Sequence, residues 1–134
     1  MKHFSVFAGY QQFYVADAGL EPSAPEHCSD EHCQQRHNTM QHIAALCPVG
    51  NVSARILSCG PSEERPTVEH SAEFEIETQI EVPSGRIGIY GWPWDIKDEF
   101  AAEPGTYSVI FTGHALGRVD DEEDYYIVQV RKSA

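Results

Sequence analysis

At 134 residues, with 41% of them hydrophobic and 6 Phe, 6 Tyr and 2 Trp spread from end to end, the chain has the size and composition of one folded domain, not of a disordered segment. Its 21 Asp plus Glu against 9 Lys plus Arg give a formal net charge of −12. That balance argues against docking on nucleic-acid phosphates or on an anionic lipid surface, both of which want clustered Lys and Arg, and makes a basic protein the complementary partner. Solubility alone would call for the same excess of acid.

No apolar run approaches the roughly 18 residues that cross a bilayer. The start "MKHFSVFAGYQQF" lacks the continuous apolar stretch of a signal peptide, so the expected location is the cytoplasm. In that compartment Cys28, Cys33, Cys47 and Cys59 read as reduced thiols and not as a disulfide framework.

Period-two patterning dominates the chain. In "HFSVFAGYQQFYVAD", Phe4, Val6 and Ala8 alternate with polar residues, and Phe13 and Val15 resume the pattern after Gly9, which predicts a half-buried strand or a strand with a bulge. "AGLEPSAPE" (Ala18 to Glu26) is a loop. "CSDEHCQQRHNTMQH" is polar and free of Gly and Pro, and opens on Ser29, Asp30 and Glu31, a cap followed by acids that suit a helix N-terminus. One short helix is expected there, about Asp30 to Asn38. "HIAALCPVGNVSARILSCG" then predicts a strand, a turn at Gly50-Asn51, and a return strand with Val52, Ala54 and Ile56 on one face.

The cleanest alternation is "SAEFEIETQIEVP". Phe74, Ile76, Thr78, Ile80 and Val82 point one way; Glu73, Glu75, Glu77, Gln79 and Glu81 point the other. "PSG" turns the chain into "RIGIYGW", where Ile87 and Ile89 oppose Tyr90 and Trp92. "PWDIKDEFAAEPG" reads as irregular or a helical turn, "TYSVIFTGHAL" as a strand, "GRVDDEED" as an acidic loop, and "YYIVQVR" as a last strand with Tyr126, Val128 and Val130 on one face. Seven or eight short strands separated by turn signals, with one short helix, predict an all-β fold: an antiparallel β-sandwich forming a single domain over residues 1–134.

Catalytic residues are not apparent: the sequence has no G-x-S-x-G, P-loop, H-E-x-x-H or dinucleotide fingerprint, and the chain is expected not to be an enzyme. Metal-capable side chains crowd into "EHCSDEHCQQRH". On a helix, Cys33 and His37 lie one turn apart, and with Cys28 and His32 they make a candidate zinc site, although the spacing fits no standard finger. The alternative is a polar helix with solvated His and inward-packed Cys. "VDDEED" could take a hard cation such as Ca2+ but lacks the glycine-punctuated spacing of an EF-hand loop, and otherwise reads as a solvated acidic loop.

Protein recognition suits the remaining features better. Glu73, Glu75, Glu77 and Glu81 stand on one face of one strand, where like charges repel unless something positive faces them or solvent screens them; protection of a sheet edge is the competing explanation. In "YGWPWD", Trp94 lies beside Asp95, and aromatic next to acid is what an Arg-rich partner would seek, although tryptophans capping a sandwich would give the same pattern. Asp120, Asp121, Glu122, Glu123 and Asp124 add a second run of acid.

These elements, in this order, resemble the competence-protein J family, small bacterial inhibitors of the DNA-entry nuclease made by the same cells. The resemblance is carried by "YQQFYV" (Tyr10 to Val15), "SDE" (Ser29 to Glu31), "GNVSARI" (Gly50 to Ile56), "FEIETQIEVPSGRIGI" (Phe74 to Ile89), "PGTYSV" (Pro104 to Val109) and "DYYIVQV" (Asp124 to Val130), across nearly the whole chain. The His/Cys cluster and the acidity of the 120–124 loop depart from the family pattern. The resemblance implies a β-sandwich that binds a nuclease stoichiometrically and blocks it, with no chemistry of its own. A nuclease presents Lys and Arg to phosphate, so a carboxylate-rich surface competes for the same groups. The expected function is thus an inhibitor or immunity-type partner of a basic enzyme, with Glu73, Glu75, Glu77, Glu81, Trp94, Asp95 and residues 120–124 at the interface. The alternatives are a zinc-binding module built on residues 27–47 and a small ligand-binding sandwich.

Overall fold

The computed structural model describes residues 2–7, 13–20, 37–46, 53–61, 72–91, 95–114 and 125–133. Ten strands lie among them: β1 (Lys2–Phe7), β2 (Phe13–Asp17), β3 (His37–Thr39), β4 (Ile43–Leu46), β5 (Ser53–Cys59), β6 (Ala72–Val82), β7 (Arg86–Gly91), β8 (Asp95–Ala101), β9 (Gly105–His114) and β10 (Tyr125–Lys132). They form two five-stranded sheets, ordered β1-β5-β10-β9-β6 and β3-β4-β2-β7-β8. The all-β sandwich predicted from period-two patterning is therefore present.

Between the sheets, Phe13, Val15, Ala44, Leu46, Ile87 and Ile89 of the second meet Ile56, Ile80, Val82, Tyr107, Val109, Phe111, Tyr126, Val128 and Val130 of the first. The β6 alternation reads as expected: Ile80 and Val82 are buried, Phe74 and Ile76 pack against the core, and the glutamates are exposed. Tyr126, Val128 and Val130 of β10 share the inner face, also as expected.

Several expectations are corrected. The sheets are not wholly antiparallel, because β10 inserts beside β5 in parallel, Tyr126 opposite Ile56 and Gln129 opposite Cys59. Parallel neighbours need a long connection, and here that connection runs through the strands of both sheets. The expected hairpin around Gly50-Asn51 does not form: β4 belongs to the second sheet and β5 to the first. Two strands that face each other across a core carry the same alternation as two that pair edge to edge, so the pattern fits both.

A helix reaching Asn38 is excluded as well, since His37 and Asn38 lie in β3, paired with Leu46 and Ala45; residues 30–36 lie outside the described residues. The only helical segment among the described residues is a 3-10 turn, Ala18–Leu20. "DIKDEFA", expected to be irregular or a helical turn, is the edge strand β8, with a bulge at its pairing with Ile89 and Tyr90. Charge and a bulge are normal on an edge, and they hid the strand from a reading based on alternation.

β2 departs from the half-buried expectation. All five of its residues are buried, because Tyr14 and Ala16 pack on the outer face of the second sheet with Ile43, Ala45 and Tyr90. A matching cluster of Leu57, Cys59 and Ile127, with Tyr125 against it, covers part of the first sheet's outer face.

At the β6–β7 turn, Gly85 has φ 79°, its carbonyl accepts from Ala102 N at 2.9 Å, and a Cβ there would stand 3.0 Å from the Ala102 carbonyl oxygen. Gly85→Ala is expected to destabilise the fold by about 1–3 kcal/mol, combining left-handed strain with a backbone contact that cannot yield. Urea denaturation checks this: the midpoint should fall with the slope unchanged.

Candidate partner-binding surface

β6 is an edge strand of the first sheet, and its outer face carries the glutamates into water. Across β9 its neighbours are uncharged: Glu75 opposes Thr112, Glu77 opposes Ile110, Gln79 opposes Ser108 and Glu81 opposes Thr106. Glu73 falls at a register shift between Ala72 and Phe74. The residues directly opposite Glu75, Glu77 and Glu81 are thus Thr112, Ile110 and Thr106, none of which carries a charge. On β10, Arg131 directs Nε and Nη2 to the Gln129 side-chain oxygen, each at 3.1 Å.

The lower end of β6 is anchored to the second sheet. Glu81 N donates to Gln41 O (2.8 Å), His42 Nδ1 donates to Glu81 O (2.9 Å), and Gln41 Nε2 donates to Glu81 Oε2 (2.7 Å). Thr39 and Thr78 join through their hydroxyls at 2.7 Å. The tip of the β3–β4 turn is closed by Met40 N to Ile43 O at 2.8 Å, and it leaves Met40 53% exposed. Beside this corner, the buried Asp17 carboxylate accepts from Gly19 N (2.8 Å), Ser84 N (3.0 Å) and the Ser84 hydroxyl. Neither Met40, Gln41 and His42 nor Asp17 stands out in the sequence as a site, because each acts through a partner distant in the chain. The nearest signal is Asp17 followed two residues later by Gly19, a pattern that favours a side-chain-to-backbone turn.

Two other predicted residues, Glu73 and Asp95, lie toward the opposite end of the sandwich. Ala72 pairs with His114, His114 pairs with Tyr125, and Gly91 pairs with Asp95, so β6, β9, β10, β7 and β8 all begin or finish there. Asp95 thus opens β8 at the end where Glu73 opens the glutamate row. Trp94 and the acidic residues Asp120, Asp121, Glu122, Glu123 and Asp124 lie outside the described residues. At the strand ends flanking the acidic run, the His114 and Tyr125 rings stack with centroids 4.9 Å apart and planes at 9°, and buried His114 holds Nε2 2.9 Å from the Thr112 hydroxyl.

Of the candidate metal ligands, Cys28, His32 and Cys33 also lie outside the described residues. His37 opens β3, with Nδ1 3.0 Å from the Thr39 hydroxyl. On a strand it has no helical turn linking it to Cys33. Among the described residues, no group of three or more His, Cys, Asp or Glu is arranged to hold a metal ion. Cys59 is buried and in no disulfide, and no helix among the described residues is long and apolar enough to cross a membrane.

Charged pairs trim the surface. Lys132 donates to Glu103 at 2.7 Å; the hydrogen bond holds the Glu103 carboxyl below its ordinary range and raises the Lys132 ammonium. Arg86 meets Glu99 at 3.3 Å next to Tyr90, whose phenol is pushed up by burial and, secondarily, by the Glu99 charge. The Tyr90 ring lies over Gly88, where a Cβ would come within 2.7 Å of it.

The chain is thus an all-β sandwich of two five-stranded sheets with a carboxylate-bearing edge strand. It shares this fold with the crystal structure of ComJ from Bacillus subtilis, an inhibitor of the DNA degrading activity of NucA: the TM-score is 0.78 at 21% identity, over 99% of this chain and 96% of that one. A more distant likeness, TM-score 0.52 at 13% identity over the full length of both chains, is to a structure described as crocagin biosynthetic gene J. No protein-family profile matches the sequence, and no curated protein matches it. The resemblance met in the short motifs thus extends to the three-dimensional fold.

Proposed function

We propose that the chain is a non-catalytic inhibitor of a nuclease, acting in the cytoplasm by covering the enzyme's basic, phosphate-binding surface. The observation that carries this reading is the sandwich shared with ComJ over 99% of the chain, on which an edge strand presents Glu75, Glu77 and Glu81 opposite uncharged residues. Carboxylates held in extended spacing on a rigid strand attract the Lys and Arg of a basic partner. They add association rate as well as affinity.

The test is inhibition of DNA degradation by a nuclease from the chain's own organism, with NucA as a second enzyme. The expected result is stoichiometric loss of activity, with an association rate that falls about tenfold or more between low and physiological salt. Undiminished DNA degradation at a molar excess of the chain over both enzymes would overturn the proposal.

A further inference from the structure

Resting on that reading, we infer that the corner formed by Met40, Gln41 and Glu81 is a docking point for one cationic side chain of the nuclease. Glu81 is fixed by three bonds to the β3–β4 turn: its backbone N–H to Gln41 O, its backbone oxygen to His42 Nδ1, and Oε2 to the Gln41 amide. The donor on Oε2 is neutral, so the carboxylate is positioned while its charge stays uncompensated by that contact. The strand residue opposite Glu81 is Thr106, which brings no cation either.

The turn that supplies Gln41 also supplies an apolar surface. Tips of tight turns ordinarily carry Gly, Asn, Asp or Ser. Here the tip carries Met40, more than half exposed, on a backbone locked by Met40 N to Ile43 O, while Gln41 and His42 turn back onto β6. A fixed carboxylate beside an exposed, pliable thioether suits the two parts of an Arg or Lys side chain: the aliphatic stem lies on Met40 and the charged head bonds to Glu81. The carboxylate is held in place before binding by Gln41, so little of its own ordering entropy is lost. Gln41 acts as a positioning residue, through the Glu81 carboxylate.

The experiment compares inhibition constants of the full-length chain and its variants against the same two nucleases, with thermal midpoints measured in parallel. Glu81→Gln keeps an acceptor for Gln41 and removes the charge; it should weaken inhibition about tenfold or more and flatten its salt dependence. Met40→Ala should weaken it about three- to tenfold with the salt dependence unchanged. Gln41→Ala should weaken inhibition in the parent chain and add nothing in the Glu81→Gln background, which a merely structural role would not produce. Glu103→Gln, at a carboxylate paired with Lys132, should leave inhibition unchanged. Variants of Glu81 and Met40 that keep the parental thermal midpoint and inhibit within about twofold of the parent would overturn the docking point while the inhibitor reading stands. A parent chain that inhibits neither enzyme would remove the reading itself and this corner's role with it.

Discussion

Asp17→Ala is expected to lower the stability of the fold by about 2–4 kcal/mol, from the loss of hydrogen bonds to a charged acceptor. The residue ends β2 with its side chain fully buried. Its Oδ1 accepts from Gly19 N and from the hydroxyl of Ser84, 67 residues away, and its Oδ2 accepts from Ser84 N. Its own N–H donates to His42 O at 3.0 Å, so a single residue ties the end of a central strand of the second sheet to both the β6–β7 and the β3–β4 turns. Alanine removes every side-chain contact. Asn keeps one oxygen for Gly19 and Ser84 but presents an amide NH2 to a donor, so Asp17→Asn should fall between wild type and Asp17→Ala. Urea denaturation of the three proteins checks this order. Equal midpoints for Ala and wild type would mean that water replaces the carboxylate without loss.

Phe111→Ala should cost about 3–5 kcal/mol and lower the thermal midpoint by roughly 10–20 °C. Phe111 is inaccessible to solvent and touches three other rings: Phe13 edge-on at 5.5 Å, Phe74 edge-on at 5.2 Å and Tyr126 stacked at 5.4 Å. Phe13 comes from the second sheet, whereas Phe74 and Tyr126 come from the strands on either side of β9 in the first. The ring therefore joins the two layers and three adjacent strands of one of them. Truncation leaves a cavity that the surrounding β-strands cannot close, because their register is fixed by the ladder bonds. Phe111→Leu, which retains much of the volume, should cost less than half as much. Differential scanning calorimetry of both variants gives the comparison.

What the sequence made legible follows from where each strand sits. β6 is legible because one of its faces meets the core and the other meets water, so Phe74, Ile76, Thr78, Ile80 and Val82 alternate with Glu73, Glu75, Glu77, Gln79 and Glu81. β10 is legible only on its inner face, at Tyr126, Val128 and Val130, because Ile127 and Gln129 on its other face are buried as well. β2 was only half readable: Tyr14 and Ala16 are buried by a second cluster outside the sheet, which erases the polar half of the alternation. The alternation marks β4 and β5 as strands but not as members of different sheets, since it records which face is buried and not which strand is the neighbour. The parallel pairing of Ile56 with Tyr126 links residues far apart in the chain and leaves no local trace. The candidate surface divides in the same way. Its glutamate row is local and was visible, whereas the corner at Glu81 depends on Gln41 and His42, some 40 residues earlier, and on a turn tip whose exposure only the fold defines.

The place of β10 has a consequence for how the protein is made. Without residues 125–132 the first sheet consists of two separate antiparallel pieces, β1 with β5 and β6 with β9, and nothing in the strand order joins them. A chain emerging from the ribosome completes both pieces before the strand that unites them appears. Until then the inner edges of β5 and β9 stay open, and Ile56, Val109 and Phe111 lack the Tyr126, Val128 and Val130 side chains that close over them. Open edges beside uncovered apolar side chains are the usual starting point for wrong pairings between chains. Completion of the first sheet therefore waits on β10, and the nascent chain depends most on solubility during that interval, when its excess of acid keeps neighbouring copies apart.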